Sequence, residues 1–364
     1  MTRIWRQMCG RAVLLTRKLG FWIMTLTGLA VMVWWLCARA GAGELQTVLR
    51  LLPSLSKPWL ATAVMLEVLF TYSQSLLFKT IYGALGFHVP VWRLFIITLV
   101  SRFVGHVVPL GTAATVVTFV STAKREGLPA RVSSIANALF YFFDYAGFGL
   151  FVAYTLAFLK FSGLLSSVFG ILLTAILILI AAGVTVLSLA LKNPGAVVSV
   201  SRVLANVAAR IPGWVGRKSS DALRSIHSVE PVATRIRDSF TQPKTLATVM
   251  ASSFAVTLTD VLILYSVVRA AGTRIGFGGL NAAFTMGTVA ALLSFIPNGI
   301  GVYVVSLWSA LTYMGLDSVI AGSVALVYRA VTFWLPTLAG LVALKYVGDR
   351  RHQSGGKGKR VFVI

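Results

Sequence analysis

Long apolar runs restrict this chain before any other feature does. Several exceed the roughly 18 consecutive apolar residues at which a segment reads as a membrane span. Inside hydrocarbon there is no water to bond a backbone N–H or C=O, so a spanning segment must satisfy its own backbone, and runs of this length do so as helices. By length alone, 364 residues are enough for two soluble domains, but a chain that is 57% hydrophobic and only 12% charged is not built that way. The fold class expected is all-α, a polytopic membrane protein.

The pattern of the runs adds a second constraint. Pro109 and Gly111 in "HVVPLGTAATVV" recur 188 residues later as Pro297 and Gly299 in "FIPNGIGVYVV". At the same offset Gly127-Leu128 recurs as Gly315-Leu316, and Val117 as Val305. Each copy has an apolar run broken by Pro and Gly, a second apolar run, a Gly-Leu turn and a long apolar helix. Broken apolar segments at corresponding positions of two halves point to a transporter-type site near the bilayer midplane. Helices are expected over about 21–38, 59–82, 131–159, 164–191, 245–268 and 319–346, with the broken elements over 92–122 and 280–313. Repeat one covers about 58–160 and repeat two about 246–346.

The net charge of +23 raises the question of nucleic acid, and the placement of the charges answers it. Five basic residues and no acid lie in 1–20 (Arg3, Arg6, Arg11, Arg17, Lys18), and six from Lys345 onward face only Asp349. Segment 192–244 holds nine basic residues against Asp221, Glu230 and Asp238. These clusters border apolar runs, as cytoplasmic loops do, so no nucleic-acid partner is expected. They also suit anionic lipid headgroups. The reading is a basic cytoplasmic tail over 1–20, one transmembrane domain over 21–346 and a basic cytoplasmic tail over 347–364. On this reading the protein sits in a bacterial inner membrane with both termini on the cytoplasmic side.

Within 192–244, Val200, Val203, Leu204, Val207, Ala208 and Ile211 share one helical face opposite Arg202 and Arg210, which predicts an amphipathic helix lying in the membrane surface. The first forty residues carry signal-peptide features, but the long basic region and the wide, Trp-rich apolar run favour a retained first helix. Counting crossings from a cytoplasmic N-terminus brings 192–244 back to the cytoplasm and makes the second broken element enter from the outside. The two copies then form an inverted repeat, each containing a Pro/Gly-broken, re-entrant helix pair.

Non-helical backbone at membrane depth needs protein or a water-filled cavity around it. Both breaks therefore offer backbone N–H donors to a ligand, and a helix N-terminus there suits a phosphate. Gly111, Gly299 and Gly301 allow close backbone approach beside Pro109, Pro297 and Asn298. The ionisable residues at membrane depth are Glu67, Arg102, Asp144, Asp260 and Arg329, with His106 beside the first break. Buried charge is costly, so each marks a functional or ion-pairing position. Arg102 and Arg329 suit an anionic headgroup; Asp144 and Asp260 suit pairing with them or proton transfer. Tyr141, Tyr303 and Tyr328 are candidate cavity-lining residues. The chain has two cysteines, Cys9 and Cys37, and four scattered histidines, so neither a disulfide framework nor a metal centre is expected. Nucleophile-elbow, P-loop and zinc-protease signatures are missing from the sequence, and no cofactor or catalytic residue is assigned.

The stretch 292–344 resembles the C-terminal signature of the flippase-like membrane region of lysylphosphatidylglycerol synthases. It has Pro297 and Gly299 followed by the "GxGV" glycines, with Gly301 at the second. Gly315 lies in the turn, Tyr328-Arg329 makes the "YR" pair, and Pro336 and Gly340 stand in the last helix. The earlier "VVPLG…REGLP" with Asp144 looks like the family's first motif, and the likeness extends over about 20–346. Three positions depart from the pattern. Val304 stands where Glu is usual, Tyr141 where Arg is usual three residues before Asp144, and Thr112 where an acid is usual. A mechanism built on those side chains is therefore not expected here. The resemblance implies the translocating part of such proteins without synthase activity. Its expected ligand is an anionic or polyprenyl-linked membrane lipid, and a lipid-modifying enzyme is a candidate partner. The alternatives left by the sequence are a membrane-embedded transferase acting on a lipid-linked headgroup and a non-catalytic scaffold of a lipid-synthesis complex.

Overall fold

The computed structural model describes residues 52–108, 111–192, 238–240, 242–294, 299 and 301–353. The expected first helix, the amphipathic segment of 192–244, the basic tail of 1–20 and most of the tail of 347–364 lie outside the described residues, as do Pro109, Pro297 and Asn298. Among the described residues every regular element is helical.

In chain order the helices are α1 (Lys57–Ala84), α2 (Val91–Val107), α3 (Thr112–Arg125), α4 (Ala130–Phe161) and α5 (Ser167–Lys192). Then come α6 (Pro243–Ala270), α7 (Phe277–Leu293), α8 (Val302–Tyr313), α9 (Ser318–Arg329) and α10 (Leu335–Gln353), the last two joined by a π-helical turn over Ala330–Trp334. Five stretches are long and apolar enough to cross a membrane: α1, α4, Ser167–Val186 of α5, α6, and Ser318–Lys345 running through α9 into α10. The chain is a multi-pass membrane protein.

Several helices of the two halves of the chain are similar in length. Helices α1 and α6 both have 28 residues, and α2 and α7 both have 17. Helix α3, with 14 residues, corresponds to α8, with 12. The turns after α3 and α8 superpose in hydrogen-bond register. Gly127 N bonds Lys124 O and Leu128 N bonds Ala123 O, while 188 positions on Gly315 N bonds Thr312 O and Leu316 N bonds Leu311 O. This is the C-terminal glycine motif, and Gly127 (φ 90°) and Gly315 (φ 97°) take the left-handed conformation it requires. After the second turn Asp317 caps α9, its Oδ1 accepting from the amides of Val319 (2.9 Å) and Ile320 (3.2 Å).

At 17 residues, α2 and α7 reach about 26 Å at 1.5 Å per residue, short of the roughly 30 Å hydrocarbon layer. Each is followed by a shorter helix that folds back along it. A Cβ added at Gly287 would lie 3.4 Å from Leu307 Cβ, so α7 and α8 run side by side as a hairpin. One added at Gly105 would collide with Thr115 Oγ1, which brings the end of α2 against the start of α3. The turn between these two is closed by Gly111 N to Val108 O (3.2 Å) and Thr115 N to Gly111 O (3.0 Å).

The described residues form two compact units. The first holds residues up to Glu67, Leu99–Thr118 and Val261–Lys345; the second holds Val68–Thr98 and the described part of Phe119–Asp260, with the residues after Lys345. The second unit has an aromatic core. Phe78 stacks between Phe119 (4.2 Å) and Phe140 (4.1 Å), with Leu77, Ile81, Leu94 and Ile97 around them, and the buried Tyr82 hydroxyl donates to Ser133 Oγ at 2.9 Å. Small residues let α4 meet α6 there: Gly147 faces Ser253, whose hydroxyl donates to the Phe143 carbonyl. Helix α5 rests on α4 where Gly149 meets Ile180, and little of its Ser167–Val186 stretch is buried, as in a lipid-facing helix.

Candidate functional site

The first unit holds the tip of the first hairpin, the whole of the second, and the helix after it. The site grows from two helical stripes in that unit. On α2, Arg102 and His106 are four residues apart; on the α9–α10 run, Arg329, Phe333 and Thr337 follow at the same interval. Residues four apart share a helix face, and here the two faces meet.

They meet closely because of Gly340. A Cβ at this position would lie 2.6 Å from Phe103 Cβ and press on the carbonyl oxygen of Leu99, so only glycine lets α10 approach α2. One turn earlier on α10, Thr337 Oγ1 lies 2.7 Å from His106 Nδ1 and donates its proton to the Phe333 carbonyl. A hydroxyl has one hydrogen. With that hydrogen given to Phe333, Thr337 accepts from His106, which fixes the imidazole with its proton on Nδ1.

Pro336 explains the next contact. Lacking an N–H, it leaves the carbonyl of Thr332, four residues back, without its α-helical partner, and the chain takes a π turn across 330–334 in which Leu335 N bonds Ala330 O. Arg102 Nη2 donates to that Thr332 carbonyl at 3.2 Å. Its Nη1 donates to Glu67 Oε1 at 2.8 Å, in an ion pair with side chains only 13% and 3% exposed.

Arg329 takes part in a stack. Its guanidinium carbon lies 4.5 Å over the Phe333 ring and 5.3 Å over Tyr303; Phe333 stacks on His106 at 4.3 Å, and Tyr303 on Tyr328 at 5.8 Å. His106, Phe333, Arg329, Tyr303 and Tyr328 thus form a continuous column. One end stands just before the first break and Tyr303 just after the second, where Gly301 N-caps α8 at φ 83°. Arg–aromatic contacts of this kind gain about 2 kcal/mol or more when desolvated, which holds a cation at depth without neutralising it.

Among the residues expected from sequence, Arg102, His106, Tyr328 and Arg329 come together here, and Gly111, Gly299 and Gly301 belong to the same unit, all three with positive φ. Asp144 and Asp260 belong to the other unit. The carboxylate that meets Arg102 is that of Glu67. Phe333, Thr337 and the Thr332 carbonyl had no place in the sequence reading, although Pro336 was a signal for the freed carbonyl. Among the described residues no group of histidines, cysteines or carboxylates has metal-site geometry.

Comparison with known proteins decides the family. Residues 18–340 match the family described as the lysylphosphatidylglycerol synthase TM region. The chain belongs to this family. Two of its relatives in the lysylphosphatidylglycerol synthase TM family are described as UPF0104 membrane proteins. One, from Methanothermobacter thermautotrophicus, is 23% identical over 69% of this chain and 74% of its own length. Another, from Pyrococcus horikoshii, is 32% identical over 28% of this chain and 30% of its own length.

Proposed function

We propose that this member of the family binds the headgroup of an anionic or polyprenyl-linked lipid at the Arg102–Arg329 cluster and carries it between membrane leaflets. The observation that carries this reading is the convergence of two arginines and a histidine at hairpins too short to span the hydrocarbon. Intramembrane cations of this kind mark substrate pathways by default. On this reading the hairpins are re-entrant, the two series of helices are inverted with respect to each other, and both termini are cytoplasmic. The helix start at Gly301 adds backbone N–H donors to the side-chain cations on this reading. The polar side chains of α2 and of the α9–α10 run give the headgroup a path while its acyl or prenyl chains stay in lipid.

The test is reconstitution of the full chain into liposomes with fluorescent analogues of phosphatidylglycerol, phosphatidylcholine and a polyprenyl phosphate. Leaflet exchange of the anionic probes is expected to exceed that in empty vesicles. Arg329→Gln is expected to slow it roughly tenfold, the loss of one charge-assisted hydrogen bond. Exchange at the empty-vesicle rate for every probe overturns the proposal.

A further inference from the structure

We infer, on the headgroup reading above, that Glu67 determines the specificity of the site. Its carboxylate occupies the position on Arg102 that a ligand phosphate takes, and a lipid enters only by displacing it.

The geometry supplies the argument. Arg102 directs one terminal nitrogen to Glu67 Oε1 at 2.8 Å and the other to the Thr332 carbonyl at 3.2 Å, so both already face protein acceptors. An arginine fork fits a carboxylate and a phosphate in the same way, through two parallel N–H···O bonds. Glu67 takes the Nη1 arm of that fork and so holds the place of one anion oxygen. It comes from α1, while the Thr332 carbonyl belongs to the turn that carries Phe333 and directly follows Arg329, so the fork ties two elements together until a ligand replaces one tie.

Such a site discriminates. A lipid whose only anion is a carboxylate exchanges like for like at Arg102 and gains nothing to offset its own desolvation. A phosphate brings more acceptor oxygens, enough to take the Arg102 fork and still accept from Arg329 or a backbone amide. Glu67 thereby favours phosphate-bearing lipids over fatty acids. Removing its charge leaves Arg102 buried beside a neutral amide, and any lipid anion then binds more tightly.

The experiment measures binding of dioleoyl phosphatidylglycerol and of oleate to the purified full chain in neutral detergent by native mass spectrometry. Wild type is expected to bind phosphatidylglycerol and to bind oleate at least tenfold more weakly. Glu67→Gln is expected to tighten both, with the larger gain for oleate, so that the preference shrinks several-fold. If the glutamine variant does not fold, Glu67→Asp, which keeps the charge but withdraws it by one methylene, is expected to shift the preference the same way by a smaller factor. An unchanged preference in whichever variant folds, with phosphatidylglycerol still bound by wild type, overturns this inference and leaves the headgroup reading standing. No binding of either lipid by wild type overturns both.

Discussion

At the residue scale, one proline sets the chemistry of the site. Pro336 withdraws an N–H, the Thr332 carbonyl turns outward, and Arg102 finds an acceptor across 230 residues of sequence. Pro336→Ala restores a donor to the helix, which then closes on the Thr332 carbonyl and competes with Arg102 for it. The expected outcome is a raised or unchanged thermal midpoint in detergent together with anionic-lipid affinity several-fold lower. A gain in stability with a loss in binding separates this effect from general damage, which lowers both. A variant that binds as wild type does removes the carbonyl from the site. Pro336 was visible in the sequence, and so were the spacings of 102/106 and 329/333/337. Their facing one another was not, because a helix face acquires a partner only when the helices pack.

At the element scale, glycines decide how near the helices come. Gly340→Ala forces α10 off Leu99 and Phe103, and overpacking of this kind costs about 1–3 kcal/mol. The variant is expected to unfold at lower temperature and to lose lipid affinity as well, because Thr337 leaves His106 with it. Gly83→Ala, in the last turn of α1 with nothing within 4 Å of the added methyl, is expected to be neutral or to stabilise by up to about 1 kcal/mol. Measuring both in one detergent checks the argument, since equal effects would mean that space around the methyl is not what counts. The sequence showed where elements break and turn, since Pro and Gly act through their own backbone. The helices over 302–313 and 131–159 came out close to the expected limits, as α8 and α4. The run expected to be continuous over 319–346 contains instead the π turn of 330–334, a feature set by which carbonyl a neighbouring helix can use.

At the scale of the whole molecule, α1 and α6 match in length, as do α2 and α7, and the turns at Gly127 and Gly315 share one hydrogen-bond pattern. If the two series are inverted across the bilayer, equivalent positions face opposite sides. Arg125→Cys and Tyr313→Cys, exposed and 188 residues apart, are to be made in a background with Cys9 and Cys37 replaced by serine. They are expected to react with an impermeant maleimide from opposite faces, Arg125→Cys from the cytoplasmic one. Labelling of both from one face excludes the inverted arrangement. The sequence by itself determined what depends on the solvent and the local backbone. Hydrocarbon compels each apolar run to bond its own N–H and C=O groups, so helices, breaks, glycine turns and flanking charges are properties of short segments. Tertiary structure alone decided which charges meet. Arg102 pairs with Glu67 while Asp144 and Asp260 sit in the other unit, because an ion pair depends on where helices far apart in the chain are brought together, and a single chain's residue order does not encode that in any local pattern.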